Sequence, residues 1–164
     1  MHIRVRRLAL IVGLAVSIAA SVGASEAQPI PAFSVVSISG SNVSGSQLSP
    51  AARWLLIYVS PGCIPCDRLV AAIDEWQIPA GDRVVLVVGG SEDAMHAYAG
   101  AHGGATGSRI TWFADPDHSA ARALKVEHTP AIAGIEHGAV QWSVAGVLND
   151  PSGVKPLIVR WTAD

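Results

Sequence analysis

Residues 54–70 read Trp-Leu-Leu-Ile-Tyr-Val-Ser-Pro-Gly-Cys-Ile-Pro-Cys-Asp-Arg-Leu-Val and hold the chain's only two cysteines, Cys63 and Cys66. Trp54 to Val59 is a continuous apolar run of aromatic and branched residues, the composition of a strand buried on both faces of a sheet. After Cys66, the residues Leu69, Val70, Ile73 and Trp76 recur at helical spacing. This predicts an amphipathic helix that ends at Gln77, before Pro79. Arg83 to Val88 is a second buried strand, and strand, helix and strand of these lengths imply a right-handed parallel βαβ unit.

Working outward, Ser91-Glu92-Asp93 opens a helix through about Ala101, with Ser91 as N-cap and two acids suited to the helix dipole. His102 to Ser108 is a Gly-rich loop. Ile110 to Phe113 is a short strand, Asp115-Pro116-Asp117 a turn, and His118 to Leu124 a short helix. Ala131 to Ile135 and Val140 to Ala145 have the spacing of an antiparallel hairpin. A last helix is expected to begin at Asn149-Asp150-Pro151. On the N-terminal side, Gln28 to Pro31 is an extended lead-in, Phe33 to Ile38 an edge strand, and Ser39 to Ser49 a loop or hairpin turn. The order is βαβ, an inserted helix and strand, then ββα: an α/β fold in one domain of residues 28–164.

Residues 1–27 read as a signal peptide: Arg4, Arg6 and Arg7 precede the apolar stretch Leu8 to Ala20, and Ser25-Glu26-Ala27 resembles a cleavage site, with Val22-Gly23-Ala24 a second. The apolar stretch is short for a membrane span of about 20 residues, and the alternative is an uncleaved anchor over residues 8–24. Removing residues 1–27 takes Arg4, Arg6, Arg7 and Glu26 from 11 basic and 13 acidic residues, leaving 8 and 12 and a formal charge of −4. No basic patch remains to support nucleic-acid binding. Export implies an oxidising compartment, in which the two cysteines drift into a disulfide unless kept reduced.

A cysteine pair at this spacing can be a redox dithiol, half of a metal site or a structural staple. As a staple it is poor: closing four residues stabilises by roughly 2 kcal/mol on the chain-entropy model, against about 3 for fifteen. The redox reading suits the placement better. At the N-terminus of a helix, unpaired N–H groups and the dipole lower a thiol's pKa, making Cys63 the attacking nucleophile and Cys66, one turn in, the resolving thiol. Pro65 between them is compatible with a first helical turn, where its missing N–H has no acceptor to lose.

Four features resemble the thioredoxin superfamily and its exported TlpA-like branch: Trp54 to Val59 leading into Ser60-Pro61-Gly62-Cys63-Ile64-Pro65-Cys66; Trp112-Phe113-Ala114-Asp115-Pro116-Asp117; Ala121 to Val126; and Thr129-Pro130 before an apolar strand. The match spans about residues 50–148. The resemblance implies a thioredoxin-like fold, a central mixed sheet flanked by helices with a TlpA-type helix-strand insertion. It also implies a cis Pro130 lying against the cysteines and a Thr129 backbone that pairs with a substrate strand. Two positions depart from the family pattern. Ile57 stands where thioredoxins carry a buried acid, and Leu69 and Val70 stand where TlpA-like chains often carry Glu and Pro. The nearest carboxylates in sequence, Asp67 and Glu127, read as solvated charges.

The resemblance implies a periplasmic thiol-disulfide oxidoreductase working without a cofactor. Its partners would be exported proteins bearing a disulfide or dithiol, including those of cytochrome c maturation, and an external thiol protein that donates or accepts electrons. Ile64-Pro65 is similar to the dipeptides of reducing members. The alternative is a copper metallochaperone using Cys63, Cys66 and His128, since soft thiolates favour Cu(I). Histidines 96, 102, 118, 128 and 137 show no ligand spacing such as H-x-x-x-H and read as surface or loop residues. Trp54, Trp76, Trp112 and Trp142 read as core or partly buried aromatics.

Overall fold

The computed structural model describes residues 27–76, 78, 83–102, 110–146 and 150–163. Its centre is the apolar run: β4 (Arg53–Val59) and β5 (Val84–Gly89) are almost wholly buried and pair in parallel, with Leu55 opposite Val84 and Val59 opposite Val88. The helix between them, α1 (Ile64–Glu75), buries Cys66, Leu69, Val70, Ala72 and Ile73. Next, α2 (Glu92–Ala101) is capped by Ser91, whose Oγ accepts from Ala94 N at 3.2 Å. It leads beyond the loop to β6 (Thr111–Asp115), parallel to β5. The short α3 (Ser119–Ala123) precedes β7 (Ala131–Glu136) and β8 (Ala139–Ala145), an antiparallel hairpin turning at His137-Gly138. β7 lies antiparallel to β4.

N-terminal strands complete the sheet: β1 (Gln28–Pro29), β2 (Ser34–Ser37) and β3 (Asn42–Ser44) give the order β1-β8-β7-β4-β5-β6-β2-β3. This corrects the expectation of an edge strand over Phe33 to Ile38. β2 is interior, held on one side by β6 and on the other by β3, and the edges are β1 and β3. The last helix also differs from expectation. Asp150 and Pro151 start only a 3₁₀ turn, Pro151–Gly153, and α4 runs Lys155–Thr162 with Pro156 in its first turn, where no intrahelical N–H bond is lost. α1 ends at Glu75, while Gln77, its expected end, and most of the 102–108 loop lie outside the described residues. So do residues 1–26 of the expected signal.

The sheet's two faces are covered unequally. One core cluster joins Leu55, Ile57, Val59 and Leu86 to side chains of α1, α2 and α4, including Leu69, Met95 and Ile158. The other joins Leu56, Tyr58, Val85 and Phe113 to α3, the N-terminal segment and Leu48. Three helices thus cover one face and a five-residue helix the other. Trp161 locks α4 across the end of the sheet: its Nε1 donates to Trp54 O at 3.0 Å, its ring meets Trp142 edge-on at 5.5 Å, and Arg53 lies over it at 5.2 Å. Among the described residues, no helix is long and apolar enough to cross a membrane.

Candidate active site

The site forms where β4 ends. Ser60-Pro61-Gly62-Cys63 is a tight turn closed by Cys63 N–H to Ser60 O at 3.2 Å. Pro61 supplies the fixed φ at its second position, and Gly62, at φ +77°, the positive φ at its third. This turn delivers Cys63 as the N-cap of α1, with Pro65 in the first helical turn. Cys63 and Cys66 are joined in a disulfide. Cys63 is partly exposed beside the outward-facing Ile64, which is 64% exposed, whereas Cys66 is fully buried. Access therefore distinguishes the two sulfurs.

Cys63 Sγ accepts two hydrogen bonds, from Cys66 N–H at 3.2 Å and from Thr129 Oγ1 at 3.5 Å, and it lies 3.7 Å from Thr129 O. The Thr129–Pro130 peptide is cis, and Pro130 is buried at the mouth of β7. Residues 66 positions apart in the chain thus meet at one sulfur. Both donors would favour a thiolate at Cys63 over a thiol, as does the α1 N-terminus.

Ile57 is fully buried on the Cys66 face of the sheet, so an apolar side chain fills the place of the acid. Asp67 keeps the solvent exposure expected of it, with 41% of its side chain accessible, and is also held by two partners. It accepts from Tyr98 Oη at 2.8 Å and pairs with His102 Nε2 at 3.2 Å, joining the first turn of α1 to α2. His102 is correspondingly not a free loop residue; its ring lies 4.4 Å from that of Tyr98. Burial, and then the Asp67 carboxylate, push the Tyr98 phenol above its ordinary range. Glu127 and His128 are exposed. Among the described residues, no three His, Cys, Asp or Glu side chains are grouped to hold a metal ion, so His128 is not brought together with the cysteines.

One buried acid went unread in the sequence. Asp115 is fully buried at the end of β6 and accepts from Tyr58 Oη at 3.1 Å, Ala120 N at 3.1 Å and Ala121 N at 3.0 Å. It satisfies the first N–H groups of α3, and its place just ahead of a short helical segment was the available signal. Tyr58 belongs to the face opposite α1, so this network is structural and separate from the disulfide. His118 Nδ1, 3.4 Å from Tyr58 Oη, belongs to it as well.

Fold and site together define the class. The chain has the thioredoxin fold, with a Cys-x-x-Cys disulfide at the head of the helix after the central strand and α2-β6 as the helix-strand insertion. No protein-family model and no curated protein matches the sequence. Solved structures resemble its fold. A secreted disulfide oxidoreductase of Mycobacterium tuberculosis, homologous to E. coli DsbE, superposes with a TM-score of 0.62 at 14% identity, over 78% of this chain and 95% of its own. A putative thiol:disulfide interchange protein DsbE from Chlorobium tepidum gives 0.62 at 16% identity, over 84% and 97%. The exposed lipoprotein thioredoxin of Streptococcus pneumoniae gives 0.57 at 17% identity, over 79% and 98%. At these identities the likeness is one of fold.

Proposed function

We propose that this protein is an exported thiol-disulfide oxidoreductase that exchanges the Cys63–Cys66 disulfide with protein substrates, acting as a reductase. Residues 1–27 serve as its export signal or anchor, and the periplasm is its compartment. The observation that carries the reading is the single accessible sulfur of Cys63, with Cys66 N–H and Thr129 Oγ1 donating to it. In the reduced enzyme, the Cys63 thiolate attacks one sulfur of a substrate disulfide, forming a mixed disulfide and expelling a substrate thiolate. That thiolate is the strongest base at the site and takes the Cys66 proton, since Ile57 offers no carboxylate. The Cys66 thiolate then attacks Cys63 Sγ, closing the Cys63–Cys66 bond and expelling the second substrate sulfur as a thiolate, which takes its proton from water. Two electrons pass to the substrate, and an external thiol protein restores the dithiol. Thr129 and Pro130 flank the attacked sulfur and are the substrate-binding backbone in this reading.

Equilibration of the pair against glutathione and dithiothreitol buffers tests the direction. A reduction potential below about −200 mV is expected of a reductase. A value near about −120 mV, the range of strong oxidases, would reverse the assigned electron flow.

A further inference from the structure

The thinly covered face of the sheet carries a groove of about 450 Å³. Its floor is made of small side chains, Ala131 and Ala133 of β7 with their partners Ala145 and Ser143 of β8. The end of α3 and the following residues form one wall, and Gln28 and Pro29 close the far end. From Ala145 to Val140 it runs about 17 Å at strand rise. One end lies at the active site. Ala131 directly follows Pro130, and Gly146, after Ala145, donates its N–H to Pro130 O at 3.2 Å. The outer edge of β8 beyond Val140 has no partner strand among the described residues, because β1 pairs only with Ala139 and Val140.

Of the lining residues, Lys125 alone is charged at neutral pH. Its backbone is unusual. Val126 N–H bonds Ala121 O at 2.9 Å and Lys125 N–H bonds Arg122 O at 3.2 Å, the paired bonds that end a helix in a left-handed residue. That residue is ordinarily glycine, and here a lysine holds it at φ +55°. His118 and His137 hold similar angles, and what the turn does at Lys125 is place an exposed cation at the rim of the groove.

We propose that this groove binds the stretch of partner polypeptide flanking the cysteine engaged at Cys63, and that it selects an extended segment with apolar alternate side chains and an acidic residue facing Lys125. The inference rests on the exchange reaction proposed above. A strand lying along the free edge of β8 satisfies its open backbone groups and directs every second side chain onto the small-residue floor. A floor of alanines leaves room for that layer, and one lysine in an otherwise uncharged trough complements one carboxylate.

The test uses synthetic peptides whose single cysteine carries a thionitrobenzoate leaving group, followed or preceded by five residues alternating valine and serine and ending in Asp or in Lys. The readout is the rate of peptide reduction divided by that of a small symmetrical disulfide. The ratio is expected to be about tenfold higher for an Asp peptide than for its Lys counterpart, to reverse in order in Lys125→Glu, and to be retained in Lys125→Arg. Ser143→Trp, which fills the floor from an exposed position, is expected to lower it for every peptide; thermal melts of each variant establish that the fold is kept. Equal ratios for both peptides, indifferent to Ser143→Trp, would overturn the proposal while leaving exchange at Cys63 intact. A dimer in solution that Ser143→Trp dissociates would overturn it too, by assigning the groove to a second copy. Failure to reduce even the small disulfide would count against the exchange reaction itself.

Discussion

Thr129 is the residue through which a distant part of the chain touches the accessible sulfur of the disulfide. Its hydroxyl donates to Cys63 Sγ and favours the ionised sulfur. A hydrogen bond to a charged group contributes about 1.5–3 kcal/mol, and one pKa unit corresponds to about 1.4 kcal/mol. Thr129→Val is therefore expected to raise the Cys63 pKa by about one unit, read from the pH dependence of alkylation in the reduced protein. An unchanged profile would remove Thr129 from the tuning of the sulfur. The two tyrosines, Tyr58 and Tyr98, give a second check. Burial first, then the neighbouring Asp115 and Asp67, raise both phenols above their ordinary value. Stability linked to them is fully present below the unfolded phenol value of about 10 and is lost as pH rises above it. In a spectroscopic titration, phenolate is expected to appear only as the protein unfolds in alkali; ionisation near pH 10 with the fold intact would contradict the packing of these rings. At this scale the sequence was readable where function left unusual residues. Two cysteines two residues apart and a Thr-Pro were visible; the Asp67–Tyr98–His102 link was not, because its members lie on two helices whose mutual placement only the sheet determines.

Among the elements, β4, α1 and β5 were legible because long buried runs and a clear helical period leave few alternatives. The errors came from short segments. Asn42-Val43-Ser44, with one apolar residue, is too short to mark a strand inside the expected loop or hairpin turn of Ser39 to Ser49, so the edge is expected at β2 although β2 and β3 pair as an antiparallel hairpin. Pro151 marked the start of a turn and not of α4, because Asp150 spends its carboxylate on Ser152, accepting from Ser152 N at 2.8 Å. The β7–β8 pairing rests on one unadvertised requirement. A Cβ at Gly134 would run into the indole of Trp142, which is itself packed on Trp161. Gly134→Ala is expected to destabilise the protein by about 1–3 kcal/mol, as overpacked cores do, in chemical denaturation. A change below about 0.5 kcal/mol would mean that Trp142 repacks freely and that the hairpin does not depend on this contact.

Across the whole molecule, the uneven cover of the sheet divides the labour. The face under α1, α2 and α4 holds Cys66 away from solvent, while the partly exposed Cys63 meets the Thr129–Pro130 loop at the end of the sheet. The opposite face is left open along β7 and β8 as a trough beginning at that loop. The general fold could be read from the order of segments, since βαβ followed by a hairpin admits few arrangements. The trough could not, because it results from the brevity of α3, and helix ends are poorly marked in sequence. The most direct measurement is mass spectrometry of Cys66→Ala after incubation with a disulfide-bonded peptide. A stable mixed disulfide mapped to Cys63 is expected, absent when Thr129-adjacent Cys63 is replaced by serine. An unmodified Cys63 under conditions in which the same peptide disulfide exchanges with a small-molecule thiol would contradict exchange at this site.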